Sequence, residues 1–253
     1  MSDDYDDDDV KPTIPVDPDL MMKVTDVFSY NGGLDAVQSE FSDEFEELVE
    51  VIENNRAEQV YVKESSEDRL KHMLLASPGV MNHNILIEGL HDEKGWAVDH
   101  ASGRNWRDLE KIGKDTRSIN DDECALDIKP SERWGKRSVD GMKNGVAVEA
   151  QFGKYAFMVY DVLGKFGHFK RAGRINLGIE LLPSNEMVQQ MSTGIGYYEQ
   201  LKTELEHLPD DYIAENYRVP ALAIGVGFEG ESIDVDNLSE EVECYEQAKM
   251  SEY

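Results

Sequence analysis

Eight residues separate Asp140 from Glu149, and Gln151 lies two beyond Glu149, so that Ala150 stands between a carboxylate and an amide. Residues two apart on a strand point the same way, which places Glu149 and Gln151 on one face. If the Asn144-Gly145 turn folds Asp140 back beside Glu149, two carboxylates and the Ala150 carbonyl form a hard-oxygen set suited to octahedral Mg2+. Such a site would hold a phosphate oxygen, lower the pKa of a bound water and stabilise charge in the transition state. The spacing does not by itself choose this reading over a solvated hairpin. In a chain with 53 acidic residues, an Asp and a Glu nine apart recur often.

The elements that would position these groups follow from apolar periodicity. Leu34, Val37, Phe41, Phe45, Leu48 and Ile52 recur at three- and four-residue steps, which predicts one long helix with a single buried stripe. Ser65 or Ser66, followed by Glu67 and Asp68, is expected to cap a second helix with Leu70, Met73, Leu74 and Leu75 as its apolar side. Residues 79–122 read as loop with short helices. Val146–Phe152 is a β-like run after the Asn144-Gly145 turn. Tyr155–Lys170 is expected as a helix ended by Gly173, and Ile175–Leu182 as a buried strand stopped by Pro183. A helix from Asn185 towards Met191, a break at Ser192-Thr193-Gly194, a helix over Tyr197–His207 and a strand over Val219–Phe228 complete the order. Strand alternating with helix implies an α/β core around a central mixed sheet.

The chain has 253 residues and a formal charge of −28. The charge is uneven: residues 100–182 carry 15 basic and 12 acidic side chains, against 7 and 25 before them and 3 and 16 after. Ordinary nucleic-acid binding shows a basic footprint in the total, which is missing here. The excess acid is spread over otherwise ordinary amphipathic elements, as expected of a protein adapted to a halophile's molar salt, where the Debye length falls to about 3 Å. A strongly acidic DNA mimic that inhibits DNA-binding proteins is an alternative, although it would need no basic centre. Residues 1–19 hold three prolines and a run of aspartates and are expected to be a disordered tail before a single domain over 20–253.

Other chemistries find little support. The two cysteines, Cys124 and Cys244, cannot form a disulfide framework, which suits a reducing cytoplasm. No eighteen-residue apolar run and no signal-peptide pattern occur, so no membrane association is expected. The six histidines lack a metal-ligand spacing, neither short Gly-x-Gly run completes a dinucleotide fingerprint, and Ser192 has no visible triad.

Three stretches carry a resemblance: Val139-Asp140 through Gln151-Phe152-Gly153-Lys154-Tyr155-Ala156-Phe157-Met158, then Gly173-Arg174-Ile175-Asn176-Leu177-Gly178-Ile179-Glu180, then Met191-Ser192-Thr193-Gly194. Together they resemble the BglII/BstYI group of type II restriction endonucleases, nearest to the BstYI type over about residues 138–207. A weaker likeness runs from Phe28 to Gly33 and into the first long helix. The resemblance implies a restriction-endonuclease-like core of the PD-(D/E)xK kind, working as a homodimer on palindromic double-stranded DNA. It implies Mg2+ held by Asp140, Glu149 and the Ala150 carbonyl, with Gln151 in place of the superfamily's usual lysine. An upstream acid is also implied, with Glu123 and Asp127 as candidates and Asn120 a less favoured third. Lys154 is placed to donate to guanine in the major groove, and Ser192 and Thr193 to contact bases or phosphates. Lys165, Lys170, Arg171 and Arg174 are further phosphate contacts or simply a solvated helix end. The group's GATC-centred sites and a cognate DNA methyltransferase in the same system are carried over as expectations. A non-cleaving DNA-binding protein on the same fold is the alternative.

Overall fold

The computed structural model describes residues 13–14, 21–55, 60–64, 70–74, 83–99, 124–128, 135–153, 157–189, 191, 194–209 and 212–229. In chain order these give β1 (Thr13–Ile14), β2 (Met21–Tyr30), α1 (Gly33–Glu40), α2 (Ser42–Glu53), β3 (Val60–Glu64), β4 (Leu70–Leu74), a π-wound α3 (His83–Glu93), β5 (Ala97–Val98), β6 (Ala125–Ile128) and β7 (Gly135–Ser138). The second half holds β8 (Gly141–Lys143), β9 (Val146–Ala150), a long helix α4, β10 (Leu177–Pro183), α5 (Asn185–Gln189), α6 (Tyr198–Glu206) and β11 (Ala221–Glu229). Helix α4 is built from Met158–Tyr160, Asp161–Lys165 and Phe166–Arg171, running on without a break and π-wound in its middle piece. No helix among the described residues is long and apolar enough to cross a membrane.

Six strands form one mixed sheet in the order β2-β11-β10-β9-β8-β5. Strands β9, β10 and β11 run parallel, while β2, β8 and β5 pair antiparallel to their neighbours. The parallel strands are buried on both sides, so β10 reads as a nearly continuous apolar run rather than an alternation. On one face Val146, Val148, Ala150, Leu177, Ile179, Leu181, Leu222 and Ile224 pack beneath α1, α2 and α3 through Val37, Leu48, Ile52, Ile85 and Leu90. On the other, Ala147, Ala221 and Ala223 join Met158, Val162, Phe166 and Phe169 of α4 and Tyr198, Leu201 and Leu205 of α6. Small side chains dominate the sheet on this second face, which lets the rings of α4 approach closely. Gly178 is part of that surface: a Cβ built there would collide with the Phe166 ring.

Several expectations hold in detail. Asn144 and Gly145 both have positive φ, 48° and 87°, as a two-residue type I′ turn between β8 and β9 requires. Helix α4 ends at Ala172, with the Gly173 N–H donating to the Lys170 carbonyl and the Arg174 N–H to the Phe169 carbonyl. These two bonds define a Schellman cap, and Gly173 supplies its left-handed residue at φ 70°.

Others do not. The long helix expected from Leu34 to Ile52 is two helices, broken at Phe41, whose φ of −127° is not helical. Phe41 is buried and serves as the corner. The helix expected from Ser65 or Ser66 is corrected where it is described: Leu70–Leu74 is strand β4, paired antiparallel with β3. Five residues are too few for their spacing to separate a period of 3.6 from one of 2, and the β-branched Val60 and Val62 give β4 a strand partner. The region expected as loop with short helices does hold the helix α3, and with it the short strand β5, which was not expected. Thr13–Ile14, within the acidic tail, pairs with Val60–Tyr61. Strand β2, not anticipated from the sequence, forms one edge of the main sheet along the whole of β11.

The N-terminus of α1 abuts β11 so closely that any Cβ at residue 33 would overlap the Ala221 carbonyl. Gly33→Ala should therefore lower the unfolding free energy by roughly 1–3 kcal/mol, read from the midpoint of a urea titration. An unchanged midpoint would show that α1 can stand off from the sheet at no cost.

Candidate active site

Register and alternation assemble the site. Gly141 begins β8 opposite Val148, so Asp140 lies next to the last residues of β9. The Ala150 N–H donates to Asp140 Oδ2 at 2.9 Å, which fixes this carboxylate against the end of β9. The Asp140 carbonyl in turn accepts from the Asp99 N–H at 2.9 Å, tying β8 to the segment after β5. Glu149 faces the opposite side of the sheet from Val148 and Ala150, towards α4. Its neighbour in the parallel ladder is Glu180 on β10. Two glutamates thus sit side by side under α4, and both are closed off from solvent.

Helix α4 completes the cluster. Lys165 Nζ lies 2.9 Å from Glu149 Oε1 and 2.8 Å from Asp161 Oδ1, one helical turn away on the same helix. Apart from that ammonium, no donor among the described residues reaches either oxygen. Glu180 is fully buried, and neither of its carboxyl oxygens has a hydrogen-bond partner among the described residues. Asp140, at 7 % exposure, and Asp161, at 1 %, share this enclosure.

One cation among so many carboxylates sets the electrostatics. Burial and then the nearby Asp140 charge push the Glu149 carboxyl well above the usual carboxylate range. Burial, followed by Asp161 and Glu149, does the same to Glu180. Burial also raises Asp161, against the opposing pull of Lys165. Burial by itself would lower Lys165, but Glu149 and Asp161 outweigh it and hold the ammonium protonated far above neutral pH.

Gln151, half-buried, follows β9 directly, and its N–H donates to the Leu181 carbonyl at 2.9 Å. Asp140, Glu149, Ala150 and Gln151 are therefore brought to one end of the β8–β9 hairpin. Cys124 is buried, and its carbonyl accepts from the Val139 N–H at 3.0 Å, which brings the start of β6 beside Asp140. Asp127 pairs with Lys136 in the β6–β7 ladder, two residues further along from the Ala125–Ser138 pair. Glu123, Asn120, Lys154, Ser192 and Thr193 lie outside the described residues. Of the basic residues after them, Lys170 donates to Asn176 Oδ1 at 3.0 Å and Arg171 to the Tyr217 hydroxyl at 2.6 Å, so both serve the close of α4.

The family model for the restriction endonucleases BglII/BglIII matches residues 25–226. The chain belongs to this family. The crystal structure of restriction endonuclease BglII complexed with a DNA 16-mer superposes with a TM-score of 0.56, at 16 % identity over 82 % of this chain and 78 % of that one. That likeness shows the same fold, a mixed six-stranded sheet with flanking helices. Free BglII gives a TM-score of 0.48 at 18 % identity, covering 82 % and 81 % of the two chains. No curated protein is significantly similar to the chain in sequence.

Sequence reasoning passed over Glu180 and Asp161 and treated Lys165 only as a surface contact or helix-end charge. A signal for Glu180 was present: it is the one charged residue in an otherwise apolar strand, Leu177–Pro183, where a charge must either be paired or be neutralised. No comparable signal singles out Asp161 and Lys165, since i, i+4 acid–base pairs are common on solvated helices.

A carboxyl whose proton affinity is higher in the folded than in the unfolded chain binds the extra proton in the native state. Stability then falls as pH rises above the ordinary carboxylate range. The metal-free protein should accordingly melt lower at about pH 8 than at about pH 5. Glu180→Gln, which keeps shape and removes the titration, should flatten that slope and raise the melting temperature at the higher pH. Thermal unfolding in EDTA at both pH values is the measurement, and parallel slopes for wild type and variant would refute the assignment.

Proposed function

We propose that this endonuclease makes sequence-specific double-strand cuts in palindromic DNA, GATC-centred, with Mg2+ and a water as the reacting partners. The observation that carries the reading is the junction of Asp140 and Glu149 at the end of one β-hairpin, with Gln151 beside them, inside a chain of the BglII/BglIII family.

The residues fit the ion. Among the described residues no three His, Cys, Asp or Glu side chains form a metal cage. Mg2+ keeps much of its water shell and is held by one or two carboxylates together with substrate oxygens, so it does not need such a cage. Asp140 and Glu149 would hold it, with the Ala150 carbonyl as the third oxygen. The buried Glu180 carboxyl, whose oxygens have no partner among the described residues, supports the reading of a layer short of positive charge. Bound there, Mg2+ would lower the pKa of a water and offset charge gathering on the scissile phosphate.

The protein's own groups have distinct tasks. The Ala150 N–H orients Asp140 by its bond to Oδ2. Glu149, held from the α4 side by Lys165, faces the same end of the hairpin. Gln151 has no charge to gain or lose, so it can orient a water or a phosphate but cannot remove a proton. Deprotonation then falls to the water itself, to a phosphate oxygen or to Glu149. Lys154 would read guanine in the major groove, with Ser192 and Thr193 contacting bases or phosphates. Glu123 or Asp127 would reach in from the preceding segment.

A palindrome has two-fold symmetry, and cutting both strands takes two such sites, which a homodimer supplies. The mildly basic centre, 15 basic against 12 acidic residues over 100–182, is the part of the chain suited to face DNA. Its acidic flanks suit a halophilic cytoplasm, with a methyltransferase protecting the host's own sites.

Purified protein with plasmid and Mg2+ in high KCl should yield discrete fragments, and end sequencing should place the cuts around GATC. Asp140→Ala should reduce cleavage by at least about 10³-fold. No discrete fragments at any salt concentration, or equal cleavage by wild type and Asp140→Ala, would reject the reading. Activity should also rise as KCl goes from about 0.1 M to about 1 M, where the acidic flanks are screened.

A further inference from the structure

Gln151 leaves position 151 without a charge, yet a cation reaches the cluster from another element. Lys165 comes from α4, packed over the sheet, and it is 15 % exposed at the side chain. Its ammonium contacts Asp161 on its own helix and Glu149 on β9, at 2.8 Å and 2.9 Å. We propose that Lys165 is a positioning residue of the active site: anchored on Asp161, it holds the Glu149 carboxylate in place and supplies the positive charge that Gln151 lacks. The proposal rests on the reading of this site as a phosphodiester-cleaving centre.

Three features of the cluster support the assignment over a purely structural ion pair. A structural pair would be complete with Asp161, which lies one turn away on the same helix. Lys165 reaches across the layer to Glu149 as well, the residue on which the hairpin site depends. Glu180 is also in need of a donor, since both its oxygens are buried without one among the described residues, and yet the ammonium does not go to it. The placement of Lys165 therefore follows Glu149 rather than the largest unmet desolvation. Finally, the middle piece of α4 that carries both Asp161 and Lys165 is π-wound, and such bulges are frequent at functional sites.

An ammonium on Glu149 also competes with a divalent ion for the same carboxylate. Replacing Lys165 removes that competition while releasing Glu149 from its fixed position. The two consequences have opposite signs, and this separates positioning from support of the fold.

Three variants test the proposal on a plasmid substrate, with melting temperature recorded for each. Lys165→Met should lower kcat about 100-fold, as loss of a correctly held group does. Its KM for DNA and its half-saturating Mg2+ concentration should stay equal to or below those of wild type. Lys165→Arg should keep more of kcat than Lys165→Met. Gln151→Lys combined with Lys165→Met should restore cleavage to within about ten-fold of wild type, because the new ammonium stands two residues from Glu149 on the same side of β9. Isothermal titration of each variant with Ca2+ gives a metal affinity independent of turnover.

A folded Lys165→Met with wild-type kcat would overturn the proposal, as would a raised Mg2+ requirement at unchanged kcat. Should Lys165→Met alone fail to fold, the double variant decides: cleavage at the level of Asp140→Ala would overturn it. Failure of wild type itself to cut DNA would instead remove the underlying nuclease reading, whatever the variants do.

Discussion

Lys165 brings a single ammonium into a layer where Asp140, Glu149, Asp161 and Glu180 are nearly closed off from water. Removing a charge from water costs several kcal/mol per ion, and attraction to one partner returns only part of it. Among the described residues one cation faces four carboxyls here, too little charge to offset them all if ionised. The remaining charge is met by higher proton affinity at Glu149, Asp161 and Glu180. A divalent cation meets the same need with greater charge in a smaller volume. The proposed ion and the raised proton affinities of these carboxyls would thus answer the same excess of negative charge.

The fold makes this enclosure possible by giving up bulk where α4 crosses the sheet. Ala147, Gly178, Ala221 and Ala223 let Phe166 and Phe169 sit low, so the polar turn before them, with Asp161 and Lys165, reaches the glutamates below. The face beneath α1, α2 and α3 has the ordinary large aliphatic side chains and, among the described residues, no buried carboxyl on its strands. Asymmetry between the two faces is what encloses these carboxyls on one side of the sheet. On the other flank, Glu47 of α2 accepts from the Trp96 indole N–H at 2.8 Å and from Lys143 Nζ at 2.7 Å. These bonds hold β8, and therefore Asp140, at a fixed height beside β9.

The hairpin was legible from its residues. Asn144-Gly145 demands a tight turn with two positive φ values, which brings Asp140 level with the far end of β9 whatever the rest of the chain does. Gly173 and the bulky stripe before it gave the end of α4, and the continuous apolar run gave β10. The break at Phe41 and the strand nature of Leu70–Leu74 were not legible. A corner residue that is itself apolar leaves the helical stripe intact on both sides, and a five-residue apolar segment takes its form from whichever backbone lies next to it. Strand β2 shows the same effect at the sheet's edge, where pairing with β11 decides the structure of a sequence with mixed polarity.

Local sequence determined everything whose cause lies within a few residues: turn, cap, strand and the meeting of Asp140 with Glu149. It also determined membership of the BglII/BglIII family, through motifs that are themselves short. Tertiary structure alone decided that Glu180, thirty-one residues after Glu149, would be its lateral neighbour. It also decided that Lys165 would point inward rather than to solvent. Packing marks the crossover helix and the strands in the sequence, but which residues of two parallel strands come level is set by how those elements dock and leaves no periodic trace in the chain.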